Sequence, residues 1–301
     1  MSELPLVSVV IATRNRPEML RTAIAAVVAQ SYEGPIECLI VFDQTDVDQS
    51  LNSEEPLRSV RVMPNTRTPG LAGARNTGIL QAHGEYVAFC DDDDYWRPTK
   101  IAKQLAGIGS ALTSATGIEI DYGGHQTERV PTRSTFTLEN LVRKRLMEAH
   151  PSSVLMRRDA ILDKIGLVDE ELPGSFGEDY DYIIRALQAG QIAIVEEPLV
   201  VVRWGQSMFS RDWDTIIAAI DYMLDKHEVF HRDPKALARL YGQRSFAKAA
   251  RGDTQDALRD VRKTLRLSPM EKRAYVTLLV TTRLISAPKV LDIAHKRGHG
   301  I

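Results

Sequence analysis

Cysteine is scarce here: Cys38 and Cys90 are the only two in 301 residues. Both lie in apolar runs, which excludes a disulfide framework or a cysteine-built zinc site and suits buried thiols of a reducing compartment. A long hydrophobic run is missing as well. No window reaches the roughly 18 consecutive apolar residues of a spanning helix, and the best stretch, residues 275–285, carries Arg283. The apolar segment 6–12 has no basic region before it and ends at once in Thr13-Arg14-Asn15-Arg16, unlike an export signal. A cytoplasmic chain without a transmembrane segment is expected. An excess of one charge is also absent: 38 Lys and Arg against 40 Asp and Glu leave a formal net charge of −2. That offers no global field for nucleic acid. With 44% hydrophobic residues the chain has ample material for a core and too much for disorder.

The first 90 residues alternate strand and helix signals. Residues 7–11 form a continuous β-branched run, as in a strand buried on both faces. Pro17 opens a helical run over 18–30 with Leu20, Ile24, Val27 and Val28 on one face. Residues 36–42 and 60–62 predict further strands, 71–82 a helix, and 85–90 a fourth strand after Gly84. This order predicts an α/β class: a Rossmann-like, mixed but mostly parallel sheet with flanking helices. Residues 113–130 predict a hairpin turning at Gly123-Gly124, residues 153–156 a short strand, 180–188 a helix, and 192–202 an extended segment broken at Pro198. From Asp212 onward only helical patterns remain, at 236–250, 254–267 and 269–284. Ala247, Gly252, Ala257, Leu265 and Pro269 faintly echo a tetratricopeptide-type helix pair, but one pair makes no repeat array. The expected division is therefore 1–205 and a helical C-terminal region, 206–301.

The strongest chemical signal is Asp91-Asp92-Asp93-Asp94, four carboxylates at the end of an apolar strand. Open α/β sheets bind ligands at that end, and hard cations such as Mg²⁺ or Mn²⁺ take carboxylate oxygens beside substrate phosphates. A solvated acidic turn is the bland alternative. In 70–78, small residues let a helix lie close to the sheet, and Arg75 projects from it to pair with a pyrophosphate or with the acids. Glu178-Asp179 follow a glycine-containing loop into a helix, where acids suit the helix dipole whatever else they do.

Val9-Val10-Ile11-Ala12-Thr13-Arg14-Asn15-Arg16, Gly73-Ala74-Arg75-Asn76-Thr77-Gly78, Asp91 to Asp94 and Glu178-Asp179 stand in the order and spacing of one known family. Over residues 6 to about 205 the chain resembles family 2 glycosyltransferases of the GT-A fold. The resemblance implies a nucleotide-sugar donor (UDP-, dTDP- or GDP-linked), a divalent cation, a hydroxyl acceptor and inversion at the anomeric carbon. It implies that Ala12, Thr13 and Arg14 line the nucleobase pocket and that Asp43 accepts from the base, although Gln44-Thr45 intervene before the next acid, Asp46. It implies metal binding by Asp93, with Asp91 beside it, and a ribose contact from Asp92. Asp179 is the implied catalytic base and Glu178 its fallback.

His150 precedes a strand expected to border the acceptor cleft, and Arg203 and Trp204 are candidates for diphosphate contact and sugar stacking. Histidine before proline is more often a plain turn residue. A sugar-phosphate nucleotidyltransferase would want a glycine-rich loop after the first strand, and residues 12–17 hold no glycine. A non-catalytic scaffold on the same fold would not need Arg75, Asp91, Asp93 and Asp179 together. The helical region, tinted basic by Arg239, Arg244, Lys248, Arg251, Arg259, Arg262, Lys263 and Arg266, suggests docking, homo-oligomerisation or peripheral contact with an anionic inner membrane face.

Overall fold

Apolar, β-branched runs near the start of the chain become the centre of a sheet, because strands buried on both faces need such side chains throughout. In the computed structural model, which describes residues 4–203 and 212–296, these are β1 (Val7–Thr13) and β2 (Ile36–Phe42). β3 (Ser53–Glu55), β4 (Arg58–Pro64), β5 (Tyr86–Phe89), β6 (Tyr95–Trp96), β7 (Thr113–Tyr122), β8 (His125–Arg129), β9 (Val154–Arg157) and β10 (Ile192–Arg203) complete a ten-stranded sheet. The order is β3-β4-β2-β1-β5-β9-β7-β10-β6, with β8 paired to β7. β4, β2, β1 and β5 run parallel, as do β7 and β10, while β9 is antiparallel between β5 and β7. The expected mixed, mostly parallel α/β sheet is therefore present.

α1 (Pro17–Val28) buries Leu20, Ala23 and Val27 against the sheet, ending two residues before the run predicted to Gln30. α2 (Leu71–Gln81) lies so close to β1 that a Cβ on Gly78 would enter Val10, and one on Gly73 would enter the Thr68 carbonyl. α3 (Lys100–Ile108), α4 (Leu138–Lys144), the short α5 (Arg158–Ala160) and α6 (Glu178–Ala189) complete this part. The hairpin turns at Gly123-Gly124, both at positive φ, as anticipated. β3 and β6 were not foreseen. β3 is an exposed edge strand with no apolar alternation, and β6 is only two residues long.

Two compact units emerge. The first holds 1–141, 145–171 and 177–206; the second holds 207–301 and also takes in 142–144 and 172–176, which the sequence division left in the first. The second unit carries α7 (Trp213–Lys226), α8 (Glu228–Arg232), α9 (Pro234–Arg251), α10 (Thr254–Leu267), α11 (Lys272–Thr281) and α12 (Ala287–Lys296). The helix predicted over 269–284 is thus shorter, and α12 follows it. Asp233 caps α9, accepting from the Lys235 and Ala236 amides, and Gly252 at φ 106 ends it. Phe246, Ala287, Val290 and Leu291 form a small core with Val276 and Val280. The expected basic tint is mostly neutralised. Arg244 and Lys248 hold Asp260, Arg244 also holds Asp221, Arg251 holds Asp214 and Asp253, and Arg259 holds Asp256. Arg239 is buried with its Nε on the Val142 carbonyl.

Candidate active site

β5 ends at Phe89, the Cys90 amide still bonds the Val10 carbonyl, and the Asp94 amide then donates to the Asp91 carbonyl at 3.0 Å. The four aspartates thus form a tight turn at the carboxyl ends of parallel strands β1, β2 and β5. β6 follows immediately and pairs with β10, so the acids are pinned from both sides.

The four aspartates divide among Arg75, Thr13, Arg16 and Ser152, with Arg16 shared by Asp92 and Asp93. Asp91 accepts from Arg75 Nη2 at 2.6 Å, and Asp92 accepts from Thr13 Oγ1 at 2.8 Å and Arg16 Nη1 at 3.0 Å. Asp93 takes Arg16 Nη1 at 2.6 Å. Asp94 is buried, accepting from Ser152 Oγ at 2.6 Å. That same Ser152 oxygen accepts the Asp91 amide at 3.0 Å, so one fully buried hydroxyl latches the two ends of the turn. Burial raises the Asp91 carboxyl, but Arg75, with His150 and Arg16, outweighs it and holds it below the ordinary range. Burial and the Asp91 charge push Asp93 up to about 6 and drive Asp94 well above the usual range.

Among the described residues, the carboxylates of Asp91 and Asp94 and the His150 ring are the group whose ligand atoms converge, all within 4.8 Å of one another. His150 Nδ1 lies 3.5 Å from Asp94 Oδ2, and Nε2 lies 3.9 Å from Asp91 Oδ2. Burial lowers the His150 pKa, favouring the neutral ring a metal needs. This differs from the pair expected from the sequence: Asp91 is shared, whereas Asp93 turns to Arg16 because successive side chains of a tight turn diverge. Two carboxylates and an imidazole suit Mn²⁺ or Mg²⁺, and the crowding that raises Asp93 and Asp94 is what a cation would relieve.

Arg75 is buried inside α2, its guanidinium forked between acids. Nη2 meets Asp91, and Nη1 meets Glu178 Oε1 at 2.6 Å across 103 residues of sequence. The Phe89 ring lies 5.7 Å from its carbon. One of the two partners expected for Arg75, the acidic cluster, thus meets it through Asp91. Burial, opposed by Arg75 and reinforced by Asp179, pushes Glu178 up to about 7. Gly177, at φ 83, swings the chain into α6 so that Glu178 faces inward. Asp179 is the more open of the two, with Arg145 Nη2 at 3.6 Å.

Of the residues expected to meet a nucleotide, Ala12 and Thr13 end β1 and Arg14 is exposed beyond it. Thr13 is engaged by Asp92. Asp43 is buried and accepts from Asn65 Nδ2 at 2.9 Å, the Gly70 amide at 3.0 Å and Gln44 Nε2 at 2.9 Å. Burial raises its pKa, but these bonds outweigh it and the pKa falls. Asp43 therefore ties the 65–70 loop to β2. Arg203 stacks over Tyr95 at 5.3 Å, while Trp204 lies outside the described residues. Arg16, Asp94, Ser152 and Arg145 join the site without having been singled out. Arg16 and Asp94 lie inside the 9–16 and 91–94 motifs, whereas nothing local marks Ser152 or Arg145.

The family model described as Glycosyl transferase family 2 matches residues 8–164, just over half of the chain. An Escherichia coli UDP-Glc:alpha-D-GlcNAc-diphosphoundecaprenol beta-1,3-glucosyltransferase, WfaP, is 34% identical over 102 residues, 33% of this chain and 40% of that protein. The match thus spans less than half of that relative. An uncharacterized glycosyltransferase of Haemophilus influenzae is 33% identical over 192 residues, 62% of this chain and 73% of its own. S. aureus TarS 1-349 in complex with UDP-GlcNAc shares the fold with a TM-score of 0.63 at 18% identity, over 97% of this chain and 92% of that one. Pyrobaculum calidifontis mannosyltransferase PcManGT, in complex with GDP-Man and Mn2+, aligns with a TM-score of 0.54 at 16% identity, over 93% and 80%. The site geometry and the match over residues 8–164 agree: the chain belongs to glycosyl transferase family 2.

Proposed function

We propose that this chain moves a sugar from a nucleotide-sugar donor to an acceptor hydroxyl, with inversion at the anomeric carbon and a divalent cation at the acidic turn. The observation that carries the reading is the Arg75 fork. One guanidinium ties Asp91, on the diphosphate side, to Glu178, next to Asp179 on the acceptor side. Donor and acceptor machinery are thereby locked to one rigid helix.

In this reading the base and ribose rest against the ends of β1 and β2, near Ala12, Thr13, Arg14, Asp43 and Asp92. Asp91, Asp94 and His150 would hold the cation, with Asp93 as the alternative ligand if it leaves Arg16. Bound there, a cation offsets the charge of the departing diphosphate. Asp179 takes the proton of the acceptor hydroxyl as its oxygen bonds to the anomeric carbon. The bond from that carbon to the donor phosphate breaks, and its electron pair leaves on the diphosphate. Glu178, gripped by Arg75, orients the base, and Arg203 stands by to meet the diphosphate. UDP-, dTDP- and GDP-linked sugars all remain candidate donors, supported by the UDP-GlcNAc and GDP-Man complexes of similar folds. An acceptor sugar carried on a diphosphate-linked lipid is supported by the name of the E. coli relative, and the inner membrane face is where this reading places it. No helix among the described residues is long and apolar enough to cross a membrane.

Thermal shift with UDP, dTDP and GDP, each with and without Mn²⁺, tests the donor site. One nucleotide should stabilise the protein strongly only when the metal is present. Equal stabilisation in excess chelator removes the metal from the mechanism. A first-formed product of retained anomeric configuration by NMR removes the single displacement.

A further inference from the structure

Among the described residues, several exposed apolar side chains cluster near α11. Of the twelve large hydrophobic residues exposed among the described residues, five fall between 270 and 293. Met270 is 85% exposed and Leu284 is 77% exposed, with Tyr275 and Leu279 half-exposed between them. They form one stripe. Lys272, Tyr275 and Leu279 recur at spacings of three and four on α11, opposite buried Ala274 and Thr277. Tyr275 Oη donates to the Pro269 carbonyl at 2.6 Å, drawing the Met270 end against the ring. The Leu284 amide bonds the Leu279 carbonyl at 3.1 Å, folding Leu284 back onto the other end.

Basic side chains outnumber acidic ones around this stripe, where Glu271 and Asp292 are the acids. Arg266, Lys272, Arg283 and Lys289 are exposed and make no ion pair among the described residues. The sole acid between Arg266 and Lys289 is Glu271, which is engaged by Arg273 at 2.8 Å. Elsewhere in the helical region Arg244, Lys248, Arg251 and Arg259 have acidic partners, while Arg262 and Lys263 also make no ion pair among the described residues, and the whole chain carries −2. A contiguous apolar and aromatic stripe rimmed by unmatched cations fits the boundary between headgroups and acyl chains of an anionic bilayer.

We propose that the outer face of α11, with Met270 and Leu284 at its ends, docks this protein onto an anionic phospholipid surface. The proposal stands on the surface alone and is independent of the glycosyl-transfer reading. Met270, Tyr275, Leu279 and Leu284 enter the interfacial layer, while Arg266, Lys272, Arg283 and Lys289 face lipid phosphates.

Flotation of the full chain with vesicles tests it. The chain should float with phosphatidylcholine mixed with phosphatidylglycerol, not with phosphatidylcholine alone, and release as salt rises. Lys272→Glu combined with Arg283→Glu should lower the bound fraction about tenfold or more. Met270→Ser combined with Leu284→Ser should abolish flotation even at low salt. These positions are exposed, so both pairs should keep the wild-type melting temperature. Absence of flotation on the mixed vesicles, or flotation unchanged in both variants, overturns the proposal. So does a dimer in sedimentation that the serine pair dissolves, which would assign the stripe to a second copy of the chain.

Discussion

Asp94 at the strand ends and Asp260 in the helical region are equally hidden, each 2% exposed, yet their carboxyls are driven in opposite directions. Burial and neighbouring Asp91 raise Asp94, and the same two influences raise Asp93. Burial raises Asp260 too, but Arg244 and Lys248 outweigh it and hold it low. Partners, then, and not depth decide the state of a buried acid. The helical region closes its charges internally, which is a structural arrangement. The strand-end turn crowds four acids around Arg16 and Arg75 and leaves negative charge unmatched, which favours a bound cation over fold stability.

Removing the fork that joins the acids should have the largest effect on this contrast. Arg75→Met leaves Asp91 and Glu178 buried without their cation, and should cost roughly 3–5 kcal/mol in denaturant unfolding. Arg75→Lys keeps the charge but cannot reach both acids, so it should restore only part of that loss. An Arg75→Met protein as stable as wild type would dissolve the bridge.

Turnover comes next. Asp179→Asn keeps shape while deleting basicity, and its transfer rate should fall on the order of 10²-fold with metal-dependent donor binding retained. Glu178→Gln should slow transfer less, because that side chain serves Arg75. The reverse ranking would move the base to Glu178.

The finest test sets the two regions side by side. Asp260→Asn should destabilise the protein by roughly 1.5–3 kcal/mol, since it removes charged hydrogen bonds to Arg244 and Lys248. Asp93→Asn should instead stabilise the metal-free protein by about 1 kcal/mol near neutral pH. Its folded-state pKa is raised to about 6, so ionising Asp93 costs stability as pH climbs through that value. The gain should therefore shrink as pH falls below about 6 and vanish only below about pH 3, where Asp93 is protonated in folded and unfolded chains alike. Loss of stability in Asp93→Asn at neutral pH would show that the Arg16 pair outweighs the crowding. Melting curves across pH decide between the two.

Periodicity and residue chemistry in the sequence determined much of this protein. Runs 7–11 and 36–42 pointed to buried strands, small residues at 73 and 78 to a close neighbour, and four aspartates after an apolar strand to the end of a sheet where open α/β folds bind ligands. Such signals are local: a few consecutive residues carry the period or the chemistry, whatever the rest of the chain does. Edge strand β3 and the helix break before α12 escaped because neither has an apolar rhythm. The pairing of side chains was decided by tertiary structure alone. That Arg75 grips Glu178 from 103 residues away, that Asp93 turns to Arg16 while Asp94 and His150 converge with Asp91, and that Ser152 latches the acidic turn all depend on how the sheet brings distant strand ends together. Contacts of that range leave no local trace, because the free energy that selects them comes from burial and from charges meeting through space.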